Sequence, residues 1–244
     1  MRLDPQLAEA HASLGLIETN NFRWAPAERE FKRALELSPN YTNGLLWYSL
    51  LLQARNRLDD SLALMRKAVQ IDPLSSIMVA NLGARLNVIG KYDEALPEGQ
   101  KAMELDPGYA PGYWQSGAAY EGLRLPQKAA AIYERAAAVA GGAPGFREAF
   151  LIRANMLRGN LAEAKKLVPV LERRALGGEV SNVVVGWAYS MTGDRDAAFK
   201  WLNRALDARE AGLRDNSRTI HLKELHGDPR YDALLRRLER GFDD

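Results

Sequence analysis

The chain has 244 residues, with 33 Lys or Arg against 31 Asp or Glu, a net charge of +2, and no cysteine. A charge so nearly balanced gives no strong attraction to nucleic acid or an anionic membrane, and the lack of thiols excludes disulfides, thiolate metal sites and a cysteine nucleophile. No run approaches the ~20 apolar residues of a membrane helix and the N-terminus has no apolar leader core, so a chain outside the membrane is predicted, with a cytoplasmic location in keeping with the missing cysteines.

In chain order, Met1-Arg2-Leu3-Asp4-Pro5 reads as the last turn of a helix and its terminating proline. Residues 1–7 are therefore expected to be the tail of a preceding repeat, in a chain cut from a longer protein. Pro5, Pro39, Pro73 and Pro107 follow one another at intervals of 34 residues, each closing a near-copy of one phrase: RLDP, ELSP, QIDP, ELDP. A period of this length marks a repeat architecture, in which each unit buries its apolar face only by stacking on its neighbours.

Residues 8–41 set the pattern. Ala10, Leu14 and Ile17 recur at helical spacing, Asn20-Asn21 forms a turn, and Ala27, Phe31, Ala34 and Leu37 carry a second helix into Pro39. The small residues let helix axes approach while Leu14 and Phe31 fill the space between them. The unit returns at 42–75, 76–109 and 110–143. It is degenerate at 145–178, where Ile152 stands in the glycine position, and recovers at 179–212. In the third unit Pro97 and Gly99 fall inside the second helix, which predicts the weakest joint of the stack, since glycine there costs ~1 kcal/mol relative to alanine. Residues 207–218 are charged and irregular and read as a loop or frayed helix end. Within 213–244, Asp228-Pro229 then starts a capping helix over Tyr231, Leu234, Leu235 and Leu238.

These matches, Leu14, Gly15, Ala27, Phe31, Ala34 and Pro39 in the first unit and their counterparts in the next three, resemble the tetratricopeptide repeat. The resemblance implies an all-α fold, a right-handed α-solenoid of helix-turn-helix repeats with a C-terminal capping helix. It also implies that the first helix of each repeat lines a concave groove. The groove positions are then Leu16 in the first repeat, Asn43, Leu46, Leu50 and Gln53 in the second, and Ile77 and Asn87 in the third. Trp114 and Glu121 follow in the fourth, Arg153 in the fifth and Trp187 in the sixth. Such a surface suits an apolar or mixed peptide, with tryptophan as anchor. Members that clamp a peptide carboxylate carry lysine and asparagine where this chain has Ala12 and Leu16, so that clamp is not expected.

The chemistry-bearing residues offer little else. His221 and His226 would point ~140° apart on one helix and could not share a metal. Asp59-Asp60 and Asp93-Glu94 fall where acids complement a helix N-terminus. Gly141–Gly145 lacks the flanks of a phosphate loop. No catalytic residue, cofactor or metal is predicted. The phrases WAPAEREFKRALELSPNY and HGDPRYDALLRRL further resemble the C-terminal repeat region of bacterial proteins that begin with a winged helix, a Ser/Thr kinase or a nucleotide cyclase. That likeness implies a non-enzymatic interaction scaffold, the regulatory arm of such a protein, with an effector domain attached. Two alternatives stand beside it: a small-molecule sensor, which a compact ligand beside Trp114 or Trp187 would favour, and an adaptor for envelope or secretion machinery.

Overall fold

In a computed structural model, residues 7–141 and 144–242 are described; most of the tail expected at 1–7 lies outside them. The first helices of the first four repeats are α1 (Ala8–Asn20), α3 (Thr42–Ala54), α5 (Ser76–Val88) and α7 (Ala110–Gly122). Their partners are α2 (Trp24–Leu37), α4 (Leu58–Ile71), α6 (Tyr92–Leu105) and α8 (Pro126–Val139). Both sets start at intervals of 34 residues. The register then slips slightly through α9 (Phe146–Leu157), α10 (Leu161–Leu176), α11 (Asn182–Thr192) and α12 (Arg195–Asp207). Each helix packs on its sequence neighbours, and first helices also touch first helices, α1 on α3, α5 on α7 and α9 on α11. Among the described residues there is no strand, and no helix is long and apolar enough to cross a membrane.

The turns inside the repeats share one backbone solution. Phe22, Asn56, Gly90 and Arg124, again 34 apart, all adopt positive φ, followed by Gly159 and Gly193. This left-handed residue reverses the chain between antiparallel helices, at a cost when it is not glycine.

Packing within a repeat pairs a small residue on the first helix with a large one sixteen positions on. Gly15 lies against the Phe31 ring and Gly117 against the Tyr133 ring. In the third repeat both members, Gly83 and Gly99, are glycine, and the vacated space is taken by the next repeat. A Cβ on Gly99 would lie 2.7 Å from the backbone nitrogen of Ser116. Gly99 is thus the contact that lets α6 and α7 approach closely, a role that helix propensity alone does not reveal. Pro97 lies exposed inside a continuous α6.

The C-terminal segment departs most from the sequence reading. Residues 207–218, expected as loop, include the helix α13 (Ala211–Asn216), whose Leu213 and Arg214 are buried. A 3-10 segment (Ile220–Leu225) and α14 (Pro229–Arg240) follow, the latter capped by the Asp228 carboxylate, which accepts from the Arg230 backbone nitrogen. α13 packs on α3, the 3-10 segment on α11, and α14 on α12. α14 also reaches the first repeat. Trp24 Nε1 donates to the Leu238 carbonyl at 2.9 Å, the Phe242 backbone nitrogen donates to the Phe22 carbonyl at 2.8 Å, and the Phe22 and Phe242 rings meet edge to face. Gly241, at φ 69°, is required there, because a Cβ would meet the Phe22 carbonyl and the Trp24 indole at 2.5 Å. The helix expected to cap the last repeat packs on α12 as a cap would and in addition fastens onto the first of the described repeats. One buried cluster accordingly includes Phe22, Trp24 and Phe31 together with Leu222, Leu234 and Leu238.

Candidate binding site on the concave face

The concave surface, predicted as a continuous open groove, is occupied over part of its length by the chain's own residues 211–226. Two anchorages hold this segment. At the fourth to sixth repeats, the fully buried His221 ring stacks on Trp114 at 5.3 Å, and lies 5.3 Å from Trp187 and 5.9 Å from Tyr133. Edge contacts of Trp114 and Trp187 with Phe146, and of Trp114 with Phe150, complete an aromatic nest. Burial, reinforced by the nearby Arg153 guanidinium, pushes the His221 pKa down to about 3, so the imidazole is neutral. Neither of its ring nitrogens nor Trp187 Nε1 has a hydrogen-bond partner among the described residues.

Beside the nest lies a charged cluster. Arg153, only 2% exposed, donates through Nε to Glu121 at 2.7 Å and through Nη2 to the other oxygen of that carboxylate, while Nη1 reaches Glu224 at 2.8 Å. Lys223 Nζ donates to Glu121 at 2.9 Å. Burial alone would raise the Glu121 pKa, but Arg153 and Lys223 outweigh it and hold the carboxyl below its usual range. Two of these four charges come from the C-terminal segment, so the repeats and the segment neutralise one another. Removing Arg153 would leave Glu121 buried with Lys223 alone, a kind of loss that costs about 3–5 kcal/mol.

The second anchorage is at the first two repeats. Gln53 Nε2 donates to the Asp215 carbonyl at 2.7 Å, Arg214 Nη1 donates to Asn20 Oδ1 at 2.7 Å, and the Arg214 guanidinium clasps both oxygens of Asp215 at 2.6 and 2.9 Å. Between the two anchorages a cavity of about 340 Å³ remains. Its walls are Leu46, Trp47 and Leu50 of α3, Ala80, Ala84, Arg85 and Asn87 of α5, and Trp114 and Ala118 of α7, with Asp215, Thr219 and Ile220 of the segment opposite.

The groove positions named from sequence therefore divide into three groups. Leu46, Leu50, Gln53, Asn87 and Trp114 line this cavity. Glu121, Arg153 and Trp187 are covered by the 3-10 segment and present no open face, because His221, Lys223 and Glu224 fill the channel there. Asn43 and Ile77 are exposed on the first helices, and Leu16 is half-buried against the core. Sequence reasoning missed Arg85, Asp215 and His221. Arg85 carried a signal, being the one charged residue of α5, SIMVANLGARLNV, in a helix whose other residues are apolar, small or amide.

Comparison with known proteins bears on the fold. No protein-family model matches the chain. The Hsp70-Hsp90 organizing protein of Triticum aestivum is 32% identical over 122 residues, which is 50% of this chain and 19% of that protein, so the chain spans about a fifth of its relative's length. The type IV pilus biogenesis factor PilW superposes with a TM-score of 0.61 at 19% identity, over 89% of this chain and 97% of that one. A thermophilic TPR protein of Thermus thermophilus superposes with a TM-score of 0.56 at 17% identity, over 94% of this chain and 100% of its own. The chain has the tetratricopeptide-repeat fold. Against the expectation of a tetratricopeptide-repeat solenoid with an open groove, this one carries a plug of its own sequence.

Proposed function

We propose that the chain is a non-enzymatic protein-interaction scaffold, the regulatory arm of a larger bacterial signalling or transcription protein in the cytoplasm, whose partner lies along the concave side of the first three repeats. The observation that supports this reading is the self-bound segment. The concave face takes up residues 211–226 by the means that recognise a peptide: an amide on a backbone carbonyl at Gln53 and Asp215, an aromatic anchor in a nest at His221, and paired charges at Glu121 and Lys223. On the first three repeats the same face ends in the exposed Asn43 and Ile77, Ile77 being 46% exposed, and these are the positions a partner segment would touch.

Site-specific photo-crosslinking tests this. A crosslinking residue at position 43 or 77 should capture one defined partner, whereas one at Gln70, exposed on α4, should not. Ile77→Glu should lower the yield about tenfold, as expected for an anchor worth about 1.4 kcal/mol. Equal capture from position 70, or capture insensitive to Ile77→Glu, would count against the reading. A sensor role is favoured by one specific observation, the cavity beside Trp114 between the repeats and the C-terminal segment.

A further inference from the structure

The cavity contains a charge without an answer. Arg85 is 4% exposed, and among the described residues its guanidinium has a single hydrogen bond in reach, from Nη2 to Ser49 Oγ at 3.3 Å, while Nε has no partner. Among the described residues no carboxylate lies within ion-pair distance of it. The nearest acidic group by its influence, Asp215, has both oxygens engaged by Arg214. Burial draws the Arg85 pKa down to about 10 against the attraction of Asp215, so the side chain keeps its proton at neutral pH and stays a cation. A desolvated, unpaired guanidinium is costly unless something pairs with it, and its planar fork matches a carboxylate.

The surroundings say what kind of carboxylate fits. The Thr219 hydroxyl, also buried without a hydrogen-bond partner among the described residues, lines the same cavity and can donate to a carboxylate, whereas the amide nitrogens of Gln53 and Asn87 are already engaged by Asp215 and Gln115. Apolar and aromatic side chains, Trp47, Leu50, Ala84 and Trp114, line one part of the wall, and the polar or charged Gln115, Asp215, Arg218 and Lys223 another. At about 340 Å³ the space lies at the lower end of the ~300–1,000 Å³ of small-molecule sites. It is walled on one side by Asp215, Thr219 and Ile220 of the chain's own C-terminal segment, which narrow it against an extended peptide.

We propose that the cavity between α3, α5, α7 and the C-terminal segment binds a small monocarboxylate with an apolar or aromatic body, its charge on Arg85 and its body against Trp47, Leu50 and Trp114. The ligand is sandwiched between repeats and segment, so it clamps the segment in place. This site is independent of the partner surface proposed above, since Asn43 and Ile77 do not line it.

The test uses the full chain with benzoate, 3-phenylpropionate and hexanoate as probes, each beside its primary amide. Calorimetry should show saturable binding of at least one acid, about tenfold or more tighter than its amide, and hydrogen exchange of residues 213–225 should slow when that acid is bound. Arg85→Met should abolish the preference for acid over amide while leaving the unliganded chain folded, because it removes an unpaired buried charge. Ala84→Phe, which fills the cavity and keeps Arg85, should abolish binding of both. The proposal is overturned if none of the acids binds, if acid and amide bind alike, if either variant binds as the parent does, or if a peptide with a free C-terminus binds where the small acids do not. Loss of crosslinking at positions 43 and 77 with acid binding intact would sink the partner reading alone.

Discussion

His221 shows how much one side chain carries here. In the unfolded chain its pKa is ~6.5, whereas the aromatic nest holds it at about 3, with Arg153 and Lys223 opposing protonation and Glu121 favouring it. Above pH ~6.5 both states are neutral and the burial of the ring contributes in full. Below that, the unfolded chain takes up a proton the folded chain declines, so stability falls with pH until the folded value is reached. Urea unfolding should therefore show stability dropping by up to about 1.4 kcal/mol per pH unit between pH 6.5 and 5, and His221→Phe should flatten this slope. An unchanged slope in the variant would mean that other groups set it. The sequence reading of His221 goes no further than its inability to share a metal with His226, since nothing local reveals that its companions, Trp114, Tyr133 and Trp187, come from three other helices. The Glu121–Arg153 pair was more legible. The two are 32 residues apart, about one repeat, with opposite charges on the same face of successive first helices.

At the scale of the helix, the proline beat located α1 to α8 closely because period, turn and packing all repeat together. The turn conformation itself was only half visible. Glycine marks positive φ at Gly90, Gly159 and Gly193, but Phe22, Asn56 and Arg124 are driven into it by the reversal and carry no glycine to announce it. Gly99 poses a related problem. Propensity describes a helix alone, and what decides this position is the neighbouring α7. Gly→Ala in an ordinary helix interior gains ~1 kcal/mol. Here the new methyl would press on the Ser116 backbone, and Gly99→Ala should instead cost about 1–3 kcal/mol, measured by chemical denaturation. A stabilised variant would show that α6 and α7 part easily and that their close approach is incidental.

The molecule as a whole departs from a simple one-dimensional stack. An open solenoid unfolds as a chain of neighbour-coupled units and its ends fray. Here α14 sits on α12 and is hydrogen-bonded to the first repeat, so among the described residues the first and last repeats hold one another. Tryptophan fluorescence and far-ultraviolet circular dichroism should give superimposable urea transitions for the full chain, as for a single cooperative unit. Deleting residues 229–244 should lower the midpoint and separate the two curves, and superimposable curves after the deletion would count against a stabilising closure. This closure could not be read from the repeats, because it depends on the sum of small rotations between them, to which contacts such as Gly99 with Ser116 contribute.

The hydrogen bonds of Trp24 with Leu238 and Phe22 with Phe242 also determine how the molecule bears load. From Ala8, α1 runs ~20 Å and ends at the turn that grips residue 242. Tension applied between the two ends of the described chain would run along α1, cross the clasp and leave at residue 242, beyond the end of α14. The repeats between them would carry none of it until the clasp parted, after which they would be drawn out in series.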